Sequence, residues 1–357
     1  MNNEIPKRQF VHNSNNHLHA TLRDVADLAG VSTKTVSRVV NHQKEISQAT
    51  RLRVQAAIDQ LDYRPNILAR SLIHQRTNTL AVIAWGIDYF GPSRTVVGIE
   101  QEANELGYSL FLNLMNHPDG DHVPILDSLI DRRVDGIIWA VPEVGNNRSW
   151  ICASRFDQLP PIVFLSMEPR PGISVVSVDN CNGAKQAVQH LVQLGRRKIG
   201  IITGPMTWWE ARERYRGWQE ALGEAGLEAF PSLVVKSDDW SAVNGERGMR
   251  TLLEQVSDID AVFACNDQIA LGALGIAHQL GRRVPQDLAI VGFDNTPESA
   301  FFWPPLSTIY QQMVNVGRIA VKNLNEMIVA RRLEREPLQP LSTILKPELV
   351  IRASSSI

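Results

Sequence analysis

From about residue 79 the sequence alternates short β-rich runs with helical segments, and that alternation constrains the fold more than any other feature. The runs are TLAVIAW, YSLFLNL, DGIIWAV, PIVFLS, RKIGIITG, AVFAC and LAIVGF. Each is nearly continuous in apolar residues, the pattern of strands covered on both faces, as in parallel sheets flanked by helices. A core spanning residues 79–353 is long for one such sheet, so two doubly wound α/β subdomains are expected. With 44% apolar and 21% charged residues, the 357-residue chain has the composition of a folded protein able to bury both cores.

The first 78 residues read differently. Residues 1–19 are polar, rich in Asn and His and without periodicity, and are expected to form a disordered tail. His12, His17 and His19 are read there as solvated rather than metal-binding. Residues 20–64 show three short helical patterns. Leu22, Val25, Ala26 and Ala29 mark the first, which Gly30 ends; Ser32 caps a second with an inward stripe of Val36, Val39 and Val40; a third, about Gln48 to Leu61, buries Val54, Ile58 and Leu61. In the following stretch, 65–78, Pro65 breaks any continuous helix and Asn66 can cap a new one, too short to be stable without a partner or ligand.

On the second helix, Lys34, Ser37, Arg38 and Asn41 fall at i, i+3, i+4 and i+7, opposite the valines, with Thr33 in the first turn. A solvated face is the plain reading of such a stripe. The tight helix–turn–helix spacing, the small side chains beside the long ones and the local charge favour a helix that enters a DNA major groove. There Arg38 can grip a guanine edge bidentately while Thr33 and Lys34 reach neighbouring bases. The charge supports this: the first 76 residues carry 11 basic against 6 acidic side chains, and the rest carry 25 against 32. If the Asn66 helix orders when two subunits meet on DNA, Leu72 would act as an apolar wedge in the minor groove, with Arg70 near phosphates; otherwise the stretch is a linker.

Three polar clusters follow strand ends in the core: TGPMTWWEARERYRGW, CNDQ and FDNT. Ligands of open α/β sheets bind at those carboxyl ends. Arg214, Asn266 and Asp294 can therefore converge on one crevice, with Trp208, Trp209 or Trp240 giving apolar faces. Such groups suit the vicinal hydroxyls and C–H face of a sugar. Each also has a structural alternative: Arg214 paired with Glu210, Asp294 as a helix cap, the tryptophans as core.

The run TLRDVADLAGVSTKTVSRVVN followed by YRPNILARSL resembles the DNA-binding headpiece and hinge of the LacI/GalR family of transcriptional regulators, and the resemblance continues almost to the C-terminus. It implies a periplasmic-binding-protein-like core, with an N-subdomain of about 79–178 plus 312–338 and a C-subdomain of about 179–308 plus 340–350. It also implies that Thr33, Lys34 and Arg38 read bases, that Ser32, Ser47 and Asn66 contact phosphate or backbone, and that Leu72 is the intercalating hinge leucine. GPMTWWEARERYRGWQEAL, DDWSAVNG and CNDQIALGAL are similar to runs of the family's β-galactoside and β-glucoside regulators, which implies that Arg214, Asn266 and Asp294 hold sugar hydroxyls and that Trp240 borders the ligand. Ser166, Asn116 and Val178 depart from that pattern, so the N-terminal half of the pocket is expected to suit a different sugar.

The function so implied is a homodimeric, sequence-specific repressor of sugar-utilisation genes, bound to double-stranded operator DNA and released by a small-molecule sugar effector. A dimer is expected because ELVIRASSSI lacks the leucine-rich heptad helix of the family's tetramers. The alternative within the family is a corepressor, such as a purine, that strengthens DNA binding. An enzyme is disfavoured: no G-x-G-x-x-G follows a strand and Cys265 has no evident base, so no catalytic residue is assigned. The three cysteines, Cys152, Cys181 and Cys265, show no paired spacing, so no metal site, cofactor or disulfide framework is expected. A secreted sugar-binding module is disfavoured because no signal segment or long apolar run occurs, and a cytoplasmic protein without membrane contact is expected.

Overall fold

The computed structural model describes residues 20–40, 45–64, 76–152, 159–333 and 340–356, in two compact units divided between Thr77 and Asn78. The expected tail, Asn41, and the hinge residues Asn66, Arg70 and Leu72 lie outside the described residues.

The first unit holds three helices: α1 (Leu22–Ala29), α2 (Thr33–Val40) and α3 (Gln48–Gln60). Thr21 and Asp24 form a reciprocal capping box at the start of α1, and Gly30 ends it in the left-handed conformation, at φ 64°. Three residues, Gly30, Val31 and Ser32, separate α1 from α2. Ser32 Oγ accepts from Thr35 N at 3.1 Å and Ser47 Oγ from Thr50 N at 3.3 Å, so both serines cap the helices that follow. The core is Val25, Ala26, Ala29, Val36, Val39, Val54, Ala57 and Tyr63. Val40, Ile58 and Leu61, expected inside, are only half-buried, because Ala57 and Tyr63 take the closer positions.

The second unit carries two six-stranded sheets. The first contains β1 (Thr79–Ala84), β2 (Ser109–Leu114), β3 (Gly136–Ala140), β4 (Ile162–Leu165), β5 (Val175–Val178) and β11 (Ser342–Leu345), in the order β11-β5-β4-β3-β1-β2, all parallel. Helices α4 (Phe90–Glu105) and α5 (Val123–Asp131) connect its early strands, and α10 (Met313–Arg332) packs on it. Both faces are buried, as the continuous apolar runs imply. Leu80, Val82 and Ala84 join one core, and Ala81 and Ile83 the other.

The second sheet contains β6 (Ile199–Ile202), β7 (Val234–Val235), β8 (Ala261–Ala264), β9 (Ala289–Asp294), β10 (Ser307–Tyr310) and β12 (Glu348–Val350), in the order β12-β10-β9-β8-β6-β7. Only β12 runs antiparallel. Its helices are α6 (Asn180–Gln193), α7 (Trp209–Glu224), α8 (Ala242–Gln255) and α9 (Asp267–Gln279).

One expected boundary is corrected. Residues 340–350 were assigned together to the C-subdomain, but β11 pairs with β5 of the first sheet, Ser342 opposite Val175, and only β12 reaches the second. The chain therefore crosses between the sheets three times, from β5 to α6, from β10 to α10 and from β11 to β12. Cys181 and Cys265 are buried free thiols. Among the described residues no group of His, Cys, Asp and Glu is placed to hold a metal ion, and no helix is long and apolar enough to cross a membrane.

Candidate nucleic-acid interface and ligand cleft

On α2, burial of Val36 and Val39 turns the opposite face outward. Thr33 and Lys34 are exposed and Arg38 is half-buried, so the three proposed base readers share one accessible surface. Ser32 and Ser47 are exposed at the caps of α2 and α3, where hydroxyls and free helix N–H groups suit phosphate oxygens.

In the second unit the carboxyl ends of both sheets face a cavity of about 360 Å³, the size of a small-molecule site. Arg214, Trp240, Asn266 and Asp294 all line it, so the residues singled out in the sequence do converge. Trp208 lines it as well; Trp209, the third tryptophan considered, does not.

Arg214 projects from α7 and is 5% exposed. Its Nε donates to Asn180 Oδ1 at 2.8 Å, Nη1 to the Cys265 carbonyl and Nη2 to Gln311 Oε1 at 3.3 Å. The guanidinium lies 3.8 Å from the Phe293 ring centre and 5.2 Å from that of Trp240. The alternative pairing with Glu210 is not adopted: all three nitrogens turn to neutral acceptors instead.

Asp294 stands at the end of β9 with φ 121°, a backbone region that side chains rarely adopt. It accepts from Gln311 Nε2, so Gln311 bridges Arg214 and Asp294. Burial pushes its carboxyl up to about 6, with the Arg214 charge partly opposing. It does not cap the helix after it; the short 3₁₀ turn there starts from Thr296. Asn266 does act as a cap, its Oδ1 accepting from Ile269 N at 2.7 Å while Nδ2 donates to the Trp240 carbonyl at 3.0 Å. Its side chain therefore ties α9 to the loop that carries Trp240.

Trp240 meets Trp208 edge-on at 5.5 Å, and Trp208 lies 5.4 Å from Trp85 and 5.7 Å from Tyr89. Aromatic faces from both sheets thus wall one side of the cavity. Four buried polar atoms on its lining have no protein partner: Glu210 Oε2, Trp240 Nε1, Ser177 Oγ and Thr296 Oγ1. Burial drives the Glu210 carboxyl up to about 7, against the lowering pull of Arg214 and Arg148.

The lining includes residues the sequence did not single out as ligands: Asp88, Asn180, Glu210, Gln311 and Glu298. Asp88 follows β1, the same strand-end signal that marked the other clusters, and was open to the same reasoning. Of the three departures from the sugar-regulator pattern, Ser166 and Val178 line the cavity, while the Asn116 carbonyl accepts from Trp85 Nε1 at 3.3 Å, behind the aromatic wall.

Comparison with known proteins places both sites in context. Residues 21–66 match the family model described as bacterial regulatory proteins, lacI family, and residues 188–355 match a periplasmic binding protein-like domain. The chain is 37% identical over 341 residues to the HTH-type transcriptional repressor PurR of Haemophilus influenzae (strain PittEE), covering 94% of this chain and 98% of that protein. Among solved structures, a lac repressor dimer bound to operator and the anti-inducer ONPF is similar with a TM-score of 0.84 at 29% identity, covering 94% of this chain and 99% of that one. The complex of the transcriptional regulator CelR with cellobiose is similar with a TM-score of 0.69 at 31% identity, covering 94% and 100%.

Proposed function

The chain belongs to the lacI family of bacterial regulatory proteins and is a non-enzymatic, DNA-binding transcriptional repressor; from that premise we propose that it is a homodimer released from its operator by a small sugar, a β-glucoside or β-galactoside. The observation that carries this reading is the cleft in which Arg214, Gln311 and Asp294 form one hydrogen-bonded row beside the Trp240 and Trp208 rings. Vicinal hydroxyls donate and accept in pairs, which such a row matches, and the sugar's C–H face packs on an aromatic ring. Similarity to a cellobiose complex supports the same class of effector.

In this reading Thr33, Lys34 and Arg38 read base edges, Ser32 and Ser47 hold phosphates, and Asn66 and Leu72 serve the hinge on the operator. Acting on genomic DNA that controls sugar utilisation, the protein works in the cytoplasm. The effector binds between subdomains joined by three crossings, so closing on it changes their relative angle and shifts the population away from the DNA-binding dimer.

A second reading is favoured by the aromatic wall and by the identity with repressors named PurR: a planar purine, stacked on an aromatic ring, that tightens operator binding as a corepressor. One titration separates the two. Operator binding at fixed salt is measured against cellobiose, other β-glucosides, β-galactosides and free purine bases. Release by a sugar is the expected result; tightening by a purine base would replace it with the corepressor reading.

A further inference from the structure

We propose that the cleft takes its effector in the unphosphorylated form and rejects the phosphate ester of the same compound, because carboxylates outnumber cations on its lining by four to one. This rests on the reading of the cleft as the effector site. Asp88, Glu210, Asp294 and Glu298 line the cavity, and among the described lining residues Arg214 is the only Lys or Arg. Its three nitrogens all donate to neutral protein acceptors, and its face rests on Phe293. These bonds fix the guanidinium in place and leave one N–H on each Nη for a ligand, a single fixed cation against four carboxyl groups.

Helix N-termini attract phosphate through their free N–H groups and dipole. Of the helix N-termini that open on the cavity, those of α7 and α9 carry acidic residues in their first turns, Glu210 and Asp267, while those of α4, α6 and α10 carry neither acidic nor basic residues there. Arg148 lies near enough to Glu210 to act on it electrostatically, but it is 1% exposed and absent from the lining. Its Nη2 donates to the Val141 carbonyl and its guanidinium sits 6.0 Å from the Trp139 ring centre, while Nε and Nη1 have no protein partner.

What the cavity does offer suits an uncharged, hydroxyl- or amide-bearing molecule. Glu210 Oε2, Trp240 Nε1, Ser177 Oγ and Thr296 Oγ1 are buried, unpartnered and on the lining; they supply an acceptor, a donor and two groups that do both. A dianionic phosphate leaves that set poorly used and brings its charge against Asp88 and Glu298, both exposed at the edge.

The test is calorimetric titration of the full chain with matched pairs: cellobiose and its 6′-phosphate, glucose and glucose 6-phosphate, inosine and inosine monophosphate, each repeated as an operator-binding titration. The expected result is that the uncharged member of at least one pair binds and shifts operator affinity, while its phosphate ester binds about 100-fold more weakly or not at all. A phosphate ester that binds as tightly as its parent, or tighter, overturns the inference and leaves the allosteric reading intact. A panel in which nothing binds and operator affinity never moves overturns the effector site itself, and the inference with it. The double variant Asp88→Asn, Glu298→Gln changes only exposed side chains, so it folds; it should narrow the discrimination about 3-fold or more. An unchanged ratio means that the carboxylates are not its source and also overturns the inference.

Discussion

Arg214 is held by Asn180, Cys265 and Gln311 on the wall of the cavity, which makes it a bolt between α6, β8 and the chain leading into α10. Arg214→Lys keeps the charge but loses the planar fork. It should cost about 3 kcal/mol of stability, read from the denaturant midpoint, and abolish the response of operator binding to effector. Glu210 makes a second prediction. Its carboxyl stands at about 7 in the fold against 4.5 for the free group. Between those values the folded state binds more protons than the unfolded one, so stability falls as pH rises through the window and stays lower above it. Glu210→Gln removes that contribution, and urea midpoints at pH 5 and pH 8 should differ less in the variant than in the parent. Arg214, Asn266 and Asp294 stand out in the sequence as polar residues after apolar runs, whereas Trp240 is singled out from Trp208 and Trp209 only by the family resemblance. Gln311 does not stand out: it lies between β10 and α10, and nothing in its neighbours reveals that it bridges a guanidinium and a carboxylate.

At the scale of elements, α8 and α9 pack so closely that a Cβ added at Gly272 would lie 1.9 Å from the Ala242 carbonyl, and one at Gly245 would lie 2.1 Å from that of Ile269. Three residues along α9, a Cβ at Gly275 would meet nothing within 4 Å. The two glycines should therefore respond with opposite sign. Gly272→Ala forces the helices apart and should lower stability by about 3 kcal/mol, whereas Gly275→Ala should raise it by about 1 kcal/mol through helix propensity. Paired denaturation curves decide it, and equal effects would refute the packing. In sequence both are simply the glycines of GALG. The strands show the same limit. The seven apolar runs were recognisable, while β5, β10, β11 and β12 are interrupted by Ser, Thr, Tyr or Glu and β7 is two residues long, so these strands take their place from the neighbours they pair with. For β11 and β12, two residues apart yet in different sheets, only tertiary pairing could tell which sheet each would join.

Across the whole molecule, the basic N-terminal residues and the acidic remainder divide the labour: the first 76 residues carry a formal charge of +5 and the rest −7. The first part gains from phosphate contacts, and the body avoids holding DNA unspecifically. Both functional modules were legible because each carries its own local pattern, but the sign of the coupling between them was not, since it depends on which arrangement of the two sheets the effector prefers. That sign is measurable without knowing the target genes. Linkage makes the coupling reciprocal: whatever factor the effector imposes on operator affinity, the operator imposes on effector affinity. Calorimetric titration of an effector into the full chain, alone and saturated with operator DNA, should give affinities differing by about 5- to 150-fold. Weaker binding in the presence of operator identifies an inducer, as the sugar reading requires; tighter binding identifies a corepressor. Equal affinities would mean that the ligand contacts both states alike, and a ligand of that kind cannot move the equilibrium however tightly it binds.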